Sequence, residues 1–115
     1  MLFVYYPKCS TCQKAKKWLE AKNISFQERD IKTENPSAAE IEEWYKKSGL
    51  PLKKFFNTSG KLYKEMQLKE KLAAMSEREQ LELLGQDGML VKRPIVVTEK
   101  EVLVGFKEKE WEGKL

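Results

Sequence analysis

The stretch Leu2-Phe3-Val4-Tyr5-Tyr6-Pro7-Lys8-Cys9-Ser10-Thr11-Cys12 decides the fold. Its opening residues are aliphatic, β-branched or aromatic and Pro7 ends the run, so Leu2 to Tyr6 reads as a buried first strand. From Ser10 to about Ala21 the apolar positions Cys12, Ala15, Trp18 and Leu19 recur at helical spacing, with Lys14, Lys16, Lys17 and Glu20 on the opposite face. That period predicts a helix, with Asn23 as its terminator.

Strand, turn and helix in this order place Cys9 at or just before the first helical turn. Free backbone N–H groups and the positive end of the helix dipole gather there and favour thiolate over thiol. Lys8, Lys14 and Lys16 or Lys17 add positive charge nearby, surroundings of the kind that lower a cysteine pKa from about 8.5. Cys12 follows about one turn later on the same side, within disulfide reach. Position then divides the labour: Cys9 is the expected nucleophile, and Cys12, on the stripe shared with Ala15 and Leu19, the expected resolving thiol. The plainer alternative is two cysteines filling a small core, since free cysteine is among the most buried residue types. Strand, proline, CxxC and helix in succession favour the redox reading.

Outward from this motif, Ile24 to Ile31 alternates apolar and polar residues as a second strand beside the first would, completing a βαβ unit with a right-handed crossover. Ser37-Ala38-Ala39-Glu40 is a capping box, with Pro36 and Ile41 as its staple. The helix it starts runs on Ile41, Trp44, Tyr45 and Ser48 until Gly49 and Pro51. The turn Asn57-Thr58-Ser59-Gly60 leads into Tyr63, Met66, Leu68, Leu72 and Met75, one short helix or two. Ser76 and Glu79 form a second capping box, Leu81 and Leu84 a stripe, and Gly85 a C-cap. Residues 35 to 85 thus form a helical block. Ile95 to Thr98, a turn at Glu99-Lys100 and Glu101 to Phe106 read as a hairpin. Lys107 to Trp111 starts a last helix that Gly113 should stop. The assembly is α/β: a small mixed sheet of four strands covered by helices, with both cysteines at the carboxyl end of strand one, where open α/β sheets bind ligands.

A chain of 115 residues, 41% hydrophobic and 35% charged, has the composition of one globular domain spanning 1–115. No apolar run approaches the roughly 20 residues of a bilayer span, and Leu2 to Tyr6 is too short for a signal peptide. The expectation is a soluble, cytoplasmic protein with no membrane partner. The absence of histidine excludes histidine acid–base catalysis and Cys-His zinc sites. Two cysteines supply only half a zinc tetrahedron and no framework for a secreted scaffold, so no metal or cofactor is expected. The net charge is +4, with seven basic and three acidic residues over 1–33 and fifteen of each thereafter. This places the surplus around the first motif. It suits an anion, a thiolate or an acidic partner better than direct nucleic-acid binding.

Three further features admit two readings each. Pro94, at the start of the Ile95 strand, is an ordinary edge proline or a cis bond that brings backbone beside the thiol. Arg93 is a solvated arginine or a planar fork for an oxyanion or carboxylate. Lys53 and Lys54 are a weaker signal, two loop lysines most simply read as solvated, with Lys53 the candidate substrate or partner contact of the two. The Trp44, Tyr45, Phe55 and Phe56 cluster reads as core.

Tyr6-Pro7-Lys8-Cys9-Ser10-Thr11-Cys12 with Lys14-Ala15 and Trp18-Leu19 resembles the start of the glutaredoxin-dependent arsenate reductase and Spx-like family, a branch of the thioredoxin-like folds. Lys92-Arg93-Pro94-Ile95-Val96-Val97 and Val104-Gly105-Phe106 resemble its later signatures. The resemblance implies a three-layer thioredoxin-like fold with the 35–85 block inserted between strands two and three. It implies Cys9 as the catalytic cysteine, Pro94 as a cis-proline and Arg93 as the arginine that holds an oxyanion or cysteine adduct. Lys8, Ser10, Thr11, Lys53 and Pro94 become the expected substrate or partner contacts. The reductases of this type carry three more arginines, whose places here look like Gln13, Lys53 and Gly105. One fork and a flexible lysine orient a multiply charged oxyanion less well than several forks. Their single cysteine also relies on external glutathione, whereas Cys12 is internal, as in the Spx-like regulators. The implied function is a thiol-disulfide oxidoreductase, reset by thioredoxin or by glutaredoxin and glutathione. The alternative is a redox-switched regulator that binds the C-terminal domain of the RNA polymerase α subunit.

Overall fold

The computed structural model describes all 115 residues. Strand β1 (Leu2–Tyr5) lies inside a four-stranded sheet of order β2-β1-β3-β4. It pairs in parallel with β2 (Gln27–Asp30) and antiparallel with β3 (Ile95–Val97), which in turn pairs antiparallel with β4 (Val102–Val104). The sheet is therefore mixed, as the sequence predicts. Alternation along β1 sends Phe3 and Tyr5 to one face and Val4 to the other. On the first face they join Val96, Leu103 and the buried side of helix α1 (Ser10–Ala21), together with Trp111 of α6 (Glu108–Lys114). On the other face Val4, Ile95 and Val102 pack against the helices between β2 and β3. Three layers result.

Helix α1 ends where Asn23 takes a left-handed conformation at φ 56. The Ile24 N–H reaches back to the Leu19 carbonyl at 3.1 Å and the Asn23 N–H to Glu20 at 3.0 Å, which satisfies the last turn. This corrects the second strand. Ile24 closes the helix and Phe26 packs edge-on against Phe3 with ring centroids 5.4 Å apart, so pairing starts only at Gln27. The strand itself is polar because it is an outer strand with one solvated edge.

Both capping boxes form, at Ser37 and Glu40 ahead of α2 (Ala38–Ser48) and at Ser76 and Glu79 ahead of α5 (Glu77–Leu84). Between them lie a 3-10 turn at Leu52–Phe55, then α3 (Lys61–Glu65) and α4 (Leu68–Lys71). Gly85 caps α5 with an ordinary right-handed backbone, so its need for glycine is spatial. A Cβ there would sit 2.6 Å from the Ala38 backbone nitrogen, at the crossing of α5 and α2. The hairpin strands stop earlier than expected because Thr98 turns the chain: its N–H donates to Glu101 at 2.8 Å and its hydroxyl accepts from the Glu101 N–H at 2.8 Å. Gly113 does not stop α6, which continues to Lys114 with Trp111 fully buried as its anchor. A single glycine near a helix end costs only about 1 kcal/mol. No helix is long and apolar enough to cross a membrane.

Candidate active site

Cys9 is the N-cap residue of α1, half-buried and extended at φ −89, ψ 123. No side-chain oxygen satisfies the first turn; the Cys12 N–H instead acts on the Cys9 sulfur. Burial alone would push the Cys9 thiol up. The Cys12 N–H and thiol and the Arg93 guanidinium together outweigh that and hold it below its ordinary value. Cys12 is fully buried among Phe3, Ala15 and Leu19, and burial pushes its thiol up to about 12 against the opposing pull of the Tyr6 N–H. Proximity to Cys9 raises it further. The pair is thus polarised, with the front sulfur poised to ionise and the rear one held as the thiol.

The lysines of α1 are not the source of this polarisation. Lys16 is tied to Glu28 at 2.7 Å, and the cation that acts on Cys9 is Arg93. The Arg93–Pro94 bond is cis and Pro94 is buried. The guanidinium lies over the Tyr6 ring, 5.1 Å from its centroid, while Nε and Nη1 are buried without any partner. Tyr6 also accepts the Cys9 N–H on its carbonyl at 3.0 Å. Gly105 forms the adjoining wall at φ 79, its N–H donating to the Pro94 carbonyl at 2.8 Å and its own carbonyl accepting from the Trp111 indole at 3.2 Å.

Cys9 opens onto a cleft of about 770 Å³. Of the residues singled out in the sequence, the cleft gathers Cys9, Thr11, Lys53 and Arg93. Lys8 and Ser10 are exposed and stand outside its lining, and Cys12 and Pro94 lie behind it. Gln13 is turned away, its amide donating to the Pro7 carbonyl at 2.5 Å. Lys54, read only as weak, also lines the cleft, as do Lys92 and Lys107, which the sequence reading missed. Their one signal was adjacency, Lys92 to Arg93 and Lys107 to Val104-Gly105-Phe106. Trp44, Phe55 and Phe56 are core, with Tyr45 edge-on to Phe55, as expected. No cluster of three metal-ligating side chains exists.

This geometry matches known proteins along its whole length. Residues 4–113 fit the model of the ArsC family. The chain belongs to that family. Among ArsC-family relatives it is 56% identical over 112 residues to the uncharacterised protein YusI of Bacillus subtilis, covering 97% of this chain and 95% of YusI. It is 32% identical over 104 residues to the global transcriptional regulator Spx of Lactiplantibacillus plantarum, covering 90% of this chain and 77% of that one. The crystal structure of an ArsC family related protein from Bacteroides fragilis superimposes with a TM-score of 0.95 at 59% identity, covering 97% and 94% of the two chains. The fold is accordingly the thioredoxin-like fold of ArsC proteins, and the protein is a thiol redox protein of the ArsC and Spx kind.

Proposed function

We propose that the protein reduces disulfides, with Cys9 as nucleophile, Cys12 as resolving thiol and Arg93 as the cation that favours the Cys9 thiolate. One observation carries the reading: a half-buried sulfur at a helix N-cap faces an arginine, with a buried thiol one turn behind it. The Cys9 thiolate attacks one sulfur of a substrate disulfide, forming a mixed disulfide and releasing the other half as a thiolate that takes a proton from water. Once Cys9 carries the adduct its negative charge is gone, and with it that part of the Cys12 elevation which Cys9 causes. Cys12 then gives its proton to the departing sulfur and attacks Cys9. The substrate gains two electrons and the Cys9–Cys12 disulfide stores their loss, to be reversed by a thioredoxin or by glutaredoxin and glutathione. This chemistry suits the reducing cytoplasm.

Disulfides are favoured over arsenate because the cleft offers a tetrahedral oxyanion one guanidinium. Gln13 is bonded to Pro7, and Gly105 has no side chain to offer. Cys9→Ser is expected to abolish disulfide reduction, while Cys12→Ser traps a mixed disulfide on Cys9 visible by mass spectrometry. Absence of turnover with every common dithiol reductant would overturn the enzymatic reading.

The likeness to Spx favours a second reading, a redox-switched regulator that contacts the C-terminal domain of the RNA polymerase α subunit. A pull-down of that domain that changes between the dithiol and disulfide forms supports it. No binding in either form removes it.

A further inference from the structure

The cleft in front of Cys9 is far larger and more basic than a sulfur and an oxyanion need. A tetrahedral oxyanion occupies the space of a few waters of about 30 Å³ each, whereas the cleft measures about 770 Å³. Lys53, Lys54, Lys92, Arg93 and Lys107 line it against the single carboxylate of Glu110. None of these five cations forms an ion pair, although six ion pairs form elsewhere on the molecule. The excess of cations over carboxylates here equals the net charge of the whole protein, +4. The charged side chains outside the cleft lining sum to zero, so the surplus positive charge of the protein is matched by that of the lining beside Cys9.

The cations stand on three separate segments, at 53–54, 92–93 and 107, so one small group cannot meet them all. The part-exposed Leu50, Val104 and Phe106 of the same lining offer apolar contact that a bare anion would not use. A nucleic acid would satisfy the cations, but it brings no sulfur to Cys9. A peptide brings both.

We propose that the disulfide reduced here lies in an acidic polypeptide segment, with two or more Asp or Glu side chains close to the cysteine that Cys9 attacks. The inference rests on the disulfide-reductase reading above and names its substrate class. Carboxylates on the segment meet the lysines at the rim while the disulfide sulfur reaches Cys9, and focusing of this kind raises association rates by about 10- to 1000-fold.

The test is single-turnover reduction by the reduced 115-residue protein, which itself supplies the two electrons as its Cys9–Cys12 disulfide forms. The substrates are three disulfide-linked peptides of equal length, their cysteines flanked by Glu, Gln or Lys, and the small dianion dithiodipropionate. The Glu peptide should react about tenfold faster than the Gln peptide and faster still than the Lys peptide at low salt, the spread narrowing as salt screens it. Lys53→Gln/Lys107→Gln should compress the spread. Lys32→Gln/Lys64→Gln, which removes the same charge outside the cleft, should not. Equal rates for the three peptides, or a spread that both double variants compress alike, would overturn the acidic-segment assignment and leave disulfide reduction standing. A dithiodipropionate rate matching that of the Glu peptide would overturn the polypeptide source. Failure of all four disulfides to react would instead sink the reductase reading itself.

Discussion

Arg29 stands on strand β2 and Arg93 in the bend just ahead of β3, and the two are used in opposite ways. Arg29, on outer strand β2, is committed on every side: Nη1 and Nη2 grip the two oxygens of Glu40 at 2.7 and 2.9 Å, and Nε donates to the Glu34 carbonyl at 2.8 Å. Glu40 also accepts the Ser37 N–H of its capping box, so one carboxylate joins the sheet edge to the start of α2. Arg93 makes no ion pair, rests on the Tyr6 ring and leaves Nε and Nη1 buried without partners. Orphaned buried donors cost about 1–3 kcal/mol each. A fold accepts that cost where a ligand or a reacting atom completes the set. The satisfied arginine holds the structure, and the unsatisfied one, beside Cys9, is the one the proposed reading assigns to the chemistry.

The same substitution at both sites breaks the comparison. Arg29→Met leaves the Glu40 carboxylate without its fork and should cost about 2 kcal/mol in urea unfolding, the scale of a part-exposed charge-assisted pair. Alkylation of Cys9 per folded molecule should not change. The pH profile sharpens this. The Arg29 hydrogen bonds, against a smaller opposing effect of burial and with help from the Ser37 N–H, hold the Glu40 carboxyl at about 2. The folded state thus binds fewer protons than the unfolded one, so the stabilisation is full above about pH 4.5 and is lost as pH falls toward 2. In Arg29→Met that acid limb should flatten. An unaltered limb would show that Glu40 is not linked to folding.

Arg93→Met should do the reverse. With its orphaned donors gone, unfolding stability should hold or rise slightly, while alkylation of Cys9 by iodoacetamide at neutral pH slows by about tenfold, the worth of one charge-assisted contact to the sulfur discounted for partial exposure. The rate profile should move to higher pH, because Arg93 favours the charged form and its loss leaves burial less opposed. Stability lost with reactivity intact would reverse the roles assigned to the two arginines.

How much of this the sequence discloses depends on how far each signal reaches along the chain. The β1 run, the period of α1 and both capping boxes are local, and each is read correctly from adjacent residues. β2 is misplaced because its apolar neighbours Ile24 and Phe26 serve the helix end and the Phe3 ring, and a polar outer strand carries no period of its own. Charge is the harder lesson. Counting along the chain assigns the surplus to residues 1–33, yet Lys16 is neutralised by Glu28, and the cleft takes its cations from positions 53, 54, 92, 93 and 107. Only the fold brings those together. Arg93 was legible as an alternative through its place before Pro94, but the company it keeps was not.

Tyr6 opens the motif that runs to Cys12, but its side chain reads in the sequence only as the tail of a strand. Its carbonyl takes the Cys9 N–H and its N–H acts on the Cys12 sulfur, and both contacts are backbone and survive substitution. Its ring alone supports the Arg93 guanidinium. Tyr6→Leu should therefore slow Cys9 alkylation by only about two- to fivefold, the range of a partly exposed cation–π contact, and Tyr6→Phe should keep the wild-type rate. If the ring acts through Arg93, adding Tyr6→Leu to Arg93→Met should produce no further loss, because the contact it removes is already gone. Additive losses in that double variant would mean that the ring touches the thiol environment by another route, and that Arg93 is held in place by packing rather than by Tyr6.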